Sequence, residues 1–178
     1  MRALVPLLVP ALLAAQAPAP RPVDPRDGGP LLLGPATARD ILLHREVFRD
    51  GLDRVKLAPG LRARWKAVRR PFTLVAVFGS WCGDSHQHLP DLLALASEPN
   101  PFIEVHYLGV ARDKQMDPTA WPKGCAPQAV ARVPTFYLFT LGQGGAQRLA
   151  GTVVENPPRV GQTMAEALVE LAEAAARD

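Results

Sequence analysis

The chain has 178 residues, 48% of them hydrophobic and 21% charged, which fits one globular domain with a core and leaves no room within these residues for a second catalytic domain. Its 20 basic and 17 acidic side chains give a formal net charge of +3, too small a surplus to argue for nucleic acid. Two cysteines exclude a scaffold stapled by several disulfides, so packing has to hold the core.

Residues 1–17 read as a secretory signal. Arg2 supplies a positive start, Ala3 to Ala15 an apolar stretch, and Ala15-Gln16-Ala17 a small-x-small cleavage site. The run is shorter than the roughly 20 residues that span a bilayer and contains Pro6 and Pro10. No cysteine follows it for lipid attachment. The expectation is an exported, soluble monomer, periplasmic or extracellular, with no membrane anchor, beginning near Pro18. Residues 18–36 hold six prolines and three glycines, a composition read as an extended linker. Thr37 with Asp40 marks a helix start, and helix is expected to about Val55, weakened late by Gly51. A second short helix, about 61–70, ends before Pro71 and completes a helical extension over 37–70. Arg62, Arg64, Lys66, Arg69 and Arg70 cluster there, but Leu61, Trp65 and Val68 repeat among them at helical spacing, so the charges read as a solvated face.

From Thr73 the pattern changes. Thr73 to Phe78 is a nearly unbroken apolar run with β-branched members, as in a central strand buried on both faces. Helix is expected from about Cys82 to Ser97, with Leu89, Leu92, Leu93 and Ala96 on one face, and a second strand over Phe102 to Val110. Thr135 to Thr140 and Arg148 to Val154 flank the glycine-rich 141–145 and read as a hairpin. A last helix, about Gly161 to Ala176, repeats Met164, Leu168, Leu171 and Ala175. No glycine-rich phosphate loop or dinucleotide pattern accompanies the strands, so no organic cofactor is expected.

Residues 78–90, Phe-Gly-Ser-Trp-Cys-Gly-Asp-Ser-His-Gln-His-Leu-Pro, set Cys82 where the central strand passes into a helix. The stretch resembles the active-site segment of thioredoxins, in which Trp-Cys-Gly-Pro-Cys opens a helix that a proline later interrupts. Trp81, Cys82, Gly83 and Pro90 stand where that pattern wants them; Asp84 replaces its inner proline and Ser85 its second cysteine. The element order from Thr73 onward is likewise that of a thioredoxin core, and Gly151 to Pro157 is similar to exported or bacterial thioredoxin-like proteins with Trp-Cys-Gly-Asp-Ser. The resemblance implies an α/β thioredoxin-like fold over 71–178, a central mixed sheet flanked by helices. It also implies that Pro134, in Arg132-Val133-Pro134-Thr135, is a cis proline packed against the cysteine, exposing the backbone of Val133 as an edge for extended peptide. The buried aspartate that assists the second thiol in thioredoxins has Ala76 in its place.

A cysteine at a helix N-terminus faces unpaired backbone donors and the positive end of the helix dipole, both of which favour a thiolate. Ser85, one turn on, could donate its hydroxyl to that thiolate, while Asp84 opposes a second negative charge and also suits the first turn of a helix. Trp81 would shield one side of the sulfur. With the resolving thiol gone, the expected reaction is attack of Cys82 on a disulfide of a protein or small-thiol substrate, giving a mixed disulfide that another thiol must resolve. Cys125, nine residues before Pro134, is a candidate for that role, for a structural disulfide, or for neither, since nine extended residues span about 30 Å. Two other classes compete. Cys82, His86 and His88 could hold copper or zinc, although His88 is rotated away and His44 and His106 are remote; no metal site is assigned. Alternatively, the groove beside Pro134 binds peptide with Cys82 redox-inactive.

Overall fold

The computed structural model describes residues 22–142 and 145–177; the segment read as a secretory signal lies outside the described residues. Five strands form one sheet in the order β1-β3-β2-β4-β5, with β1 over Gly34–Ala36, β2 over Phe72–Phe78, β3 over Ile103–Gly109, β4 over Thr135–Leu141 and β5 over Gln147–Val154. β2 runs parallel to β3 and antiparallel to β4. All seven β2 residues are buried, which is why their sequence is an apolar run instead of an alternating one. The hairpin of β4 and β5 carries an irregularity at Leu138/Phe139.

Among the described residues five α-helices cover the sheet: α1 (Ala38–His44), α2 (Glu46–Arg54), α3 (Pro59–Ala67), α4 (Gly83–Ala96) and α5 (Met164–Arg177). One face of the sheet is packed by these helices around Phe48, Trp65, Phe78, Leu89, Leu92, Phe136 and Leu168. The other is covered by the 111–134 connection, where Trp121 lies edge-on to Tyr137 at 5.4 Å and to Phe139 at 6.2 Å. Each such large apolar side chain contributes on the order of 1.5–3 kcal/mol by leaving water. Two clusters, one per face, therefore clamp β2 and fix the place where its C-terminal end turns into α4.

Three expectations are corrected. The single helix expected over 37–55 is two: Thr37 caps α1 through a reciprocal box with Asp40, but Arg45 is extended (φ −138°, ψ 136°) and separates α1 from α2. The second helix runs from Pro59, whose missing N–H suits a first turn, and ends at Ala67. The described part of the supposed linker is docked on the domain: Val23 bridges Pro30, Leu31 is buried, Asp24 is fully buried and β1 pairs antiparallel with β3. Pro35 is tolerated because β1 is an edge strand. The basic cluster on α3 is paired across the surface, Arg62 and Lys66 with Glu98 and Arg64 with Glu173.

Candidate active site around Cys82

β2 delivers the chain to the end of the sheet, and a tight turn hands it to α4. Cys82 N–H donates to the Gly79 carbonyl at 3.0 Å, and the Cys82 carbonyl accepts from His86 N–H at 3.0 Å. Cys82 is thus the N-cap of a 14-residue helix, in extended conformation (φ −95°, ψ 127°) and partly exposed. Its thiol donates to the Val133 carbonyl at 3.2 Å, and the Val133–Pro134 peptide bond is cis. The structure therefore brings Cys82, Val133 and Pro134 together from segments about fifty residues apart, at a place where a thiolate would face free helix donors.

Trp81 folds back over Gly79, where a Cβ would lie 2.7 Å from the indole. Its Nε1–H donates to the Val110 carbonyl at 3.0 Å. Ser85 is completely buried, and its Oγ accepts from Gly79 N–H at 3.2 Å. It ties the turn together, whereas the sulfur's partner is Val133. Asp84 occupies the first turn of α4 and is partly exposed.

Cys125 is buried and its thiol donates to Gln147 Oε1 at 3.4 Å. Gln147 pairs with Leu141, one step beyond the Thr140 pairing with Phe72 at the start of β2, so Cys125 sits at the opposite end of the sheet from Cys82. The length of β2 separates them, about 20 Å at roughly 3.3 Å per residue. Both cysteines are free, and burial pushes the Cys125 thiol up to about 11. Neither the disulfide nor the resolving role read from the sequence fits this placement.

The histidines are engaged separately. His86 Nε2 donates to the Ser80 carbonyl at 2.8 Å, with its ring edge-on to Phe48. His88, rotated away from Cys82 on the helix, is buried, with Nε2 3.2 Å from Asn156 Oδ1. Among the described residues no group of three or more His, Cys, Asp or Glu side chains is placed to hold a metal ion.

Two residues that sequence reasoning passed over stand beside the motif. Arg112 lies over the Trp81 ring, 4.5 Å from its centroid, and forms an ion pair at 2.8 Å with the fully buried Asp24. The Arg112 hydrogen bonds hold the Asp24 carboxyl below the ordinary carboxylate range. A cleft of about 560 Å³ opens on the other flank, from Gly83 and His86 to Arg54, Leu57, Asp91 and Glu166. Burial there raises the Asp91 carboxyl, although it accepts Ala165 N–H at the start of α5.

A sequence model of the family described as thioredoxin matches residues 37–167. The chain belongs to the thioredoxin family. The family match includes α1–α3, the helices read as an extension ahead of the domain. No curated protein matches the chain. The crystal structure of an HIV epitope scaffold shares the fold of this thioredoxin-family protein, with a TM-score of 0.52 and 17% identity over 79% of this chain and 91% of that one. A 1.5 Å crystal structure of a protein of unknown function from Pseudomonas aeruginosa has a TM-score of 0.48 and 20% identity, covering 78% of this chain and 83% of that one. Among the described residues no helix is long and apolar enough to cross a membrane.

Proposed function

We propose that this is an exported, monomeric thioredoxin-family protein with a Trp-Cys-Gly-Asp-Ser motif that catalyses thiol-disulfide exchange through one cysteine. The observation that carries the reading is Cys82 at the N-terminus of α4, partly exposed and 3.2 Å from the carbonyl of Val133 beside the cis bond to Pro134. The Cys82 thiolate attacks one sulfur of a substrate disulfide; the Cys82–substrate S–S bond forms, the substrate's own S–S bond breaks, and the other sulfur leaves as a thiolate. A second thiol, on the substrate or a small thiol, then attacks the mixed disulfide and returns Cys82 as a thiolate. That thiol is the reductant, so the chain itself undergoes no net oxidation. The backbone beside Pro134 would hold an extended substrate segment while the sulfurs align, and Cys125, remote and buried, takes no part.

The test is incubation of the purified protein with a disulfide-containing peptide, with and without a small thiol, followed by mass analysis. A mixed disulfide at Cys82 that disappears on adding thiol is expected, with none detectable in Cys82→Ser. Peptide binding equal in wild type and Cys82→Ser, without any adduct, would replace this reading with that of a peptide-binding module.

A further inference from the structure

We infer that Arg112 is a positioning residue of the Cys82 site and that residues 22–32, through Asp24 and Leu32, form one wall of it. The inference rests on Cys82 being the reacting group. Asp24 is fully buried and its carboxylate accepts from Arg112 Nε at 2.8 and 3.0 Å, from Arg112 Nη2 at 2.8 Å and from Arg26 N–H at 2.9 Å. A guanidinium gripped along one edge by a buried carboxylate has a fixed plane, and its Cζ sits over the indole of Trp81, the residue preceding the cysteine, 4.5 Å from the ring centroid. The next residue back is fastened from the same segment: Ser80, fully buried, accepts Leu32 N–H on its Oγ at 3.0 Å. Both residues ahead of Cys82 are thus held by a stretch of chain that precedes the sheet.

The seating is close. A Cβ on Gly109 would stand 2.0 Å from the Leu32 carbonyl oxygen, so this point of β3 admits the segment only as glycine. The Arg112 side chain keeps 25% of its surface exposed. Asp24 chiefly, and also Asp27 and the Cys82 thiolate, hold it protonated against the opposing effect of burial. The Arg112 cation and a Cys82 thiolate attract one another, and an indole fixed beside the cysteine limits the directions of approach to the sulfur.

A plain structural staple would cost stability when cut and change nothing at the sulfur. Two readouts on the full chain separate the cases. The first is the rate at pH 7 at which Cys82 displaces iodide from iodoacetamide to form a thioether, read by peptide mass so that Cys125 is counted apart. The second is acrylamide quenching of Trp81, taken as the difference from Trp81→Phe, since Trp65 and Trp121 are buried. Arg112→Ala is expected to alkylate about three- to tenfold more slowly and to expose Trp81 to quencher. Arg112→Lys, keeping the charge without the planar fork, should recover at least half the alkylation rate but not the shielding. Asp24→Asn should lose the shielding as Arg112→Ala does. Folded Arg112→Lys and Asp24→Asn proteins with wild-type quenching, or a folded Arg112→Ala protein alkylating within twofold of wild type, would overturn the assignment. Neither readout uses a disulfide substrate, so failure of exchange in the wild type sinks only the proposed function, while unmoved variants of an exchange-competent protein sink only this inference.

Discussion

Ser85 shows how a side chain can occupy a motif position and do something else there. It stands where a second thiol would stand, yet its Oγ accepts the Gly79 N–H and no part of it reaches solvent. Ser85→Ala therefore leaves a buried donor without a partner, a loss of about 1–3 kcal/mol, which urea denaturation would read. Cys82 alkylation should stay within about threefold of wild type, since Ser85 serves the Gly79 N–H while the sulfur's partner is the Val133 carbonyl; a charge-assisted hydrogen bond from Ser85 to the thiolate, about 1.5–3 kcal/mol, would be worth roughly tenfold or more. A tenfold or greater fall in alkylation at unchanged stability would return Ser85 to the role of thiolate donor. Trp81, Cys82, Val133 and Pro134 were legible in the sequence because each belongs to a short local pattern, and the structure gathers them in one place. Arg112 and Asp24 were not, since 88 residues separate them and an acidic residue among prolines and glycines carries no local sign of its partner. Cys125 was ambiguous because loop length sets a maximum reach without setting a direction, and here the connection carries it to the far end of β2.

At the scale of elements, α2 and α4 meet at a glycine and a proline. Pro90 has no N–H to give the His86 carbonyl, and Gly51 lies on that same turn: a Cβ there would stand 2.5 Å from Pro90 Cγ and 3.5 Å from the His86 oxygen. Intrinsic helix preference favours Gly51→Ala by about 1 kcal/mol, and overpacking opposes it by about 1–3 kcal/mol. The proline ring is stiff, so overpacking should win. A fall in Tm of about 2–4 °C is expected, and a rise in Tm would show that the helices slide apart without cost. The central strand, α4, the hairpin and α5 could be read from the sequence because burial imposes a period on each. The break at Arg45 could not, since the apolar pattern runs through it; at the break the Arg45 guanidinium reaches across to the N-terminal segment and donates to the Pro30 carbonyl at 3.1 Å. β1, only Gly-Pro-Ala, has no strand signal of its own and exists because β3 offers it an edge.

For the whole molecule, ionisable groups on the surface and in the interior set the pH range of stability. On the acid side, the Arg112 hydrogen bonds lower Asp24, and bonds to Lys66, Arg159 and Arg64 lower Glu98, Glu170 and Glu173 respectively. Each lowered carboxylate adds stability that is present above its ordinary value near 4 and is lost as the pH falls through its folded value. Asp91, raised by burial, works in the opposite sense and blunts that loss. On the alkaline side, burial raises Cys125 to about 11 and also raises Tyr107 and Tyr137. A raised group favours the folded state below its ordinary value, and that advantage is lost as the unfolded chain ionises first, for Cys125 between its ordinary 9.0 and about 11. The tyrosines act only above their ordinary 10.0. The urea midpoint should therefore be level from about pH 5 to 9 and fall on both sides. Cys125→Ala should lower the midpoint through lost packing while removing the decline that begins at pH 9, so that the variant's alkaline limb starts only as the tyrosines ionise. If wild type and variant decline in parallel from pH 9, the Cys125 thiol is not held neutral by the core, and the closed packing of Trp121, Tyr137 and Phe139 around the far end of the sheet is wrong.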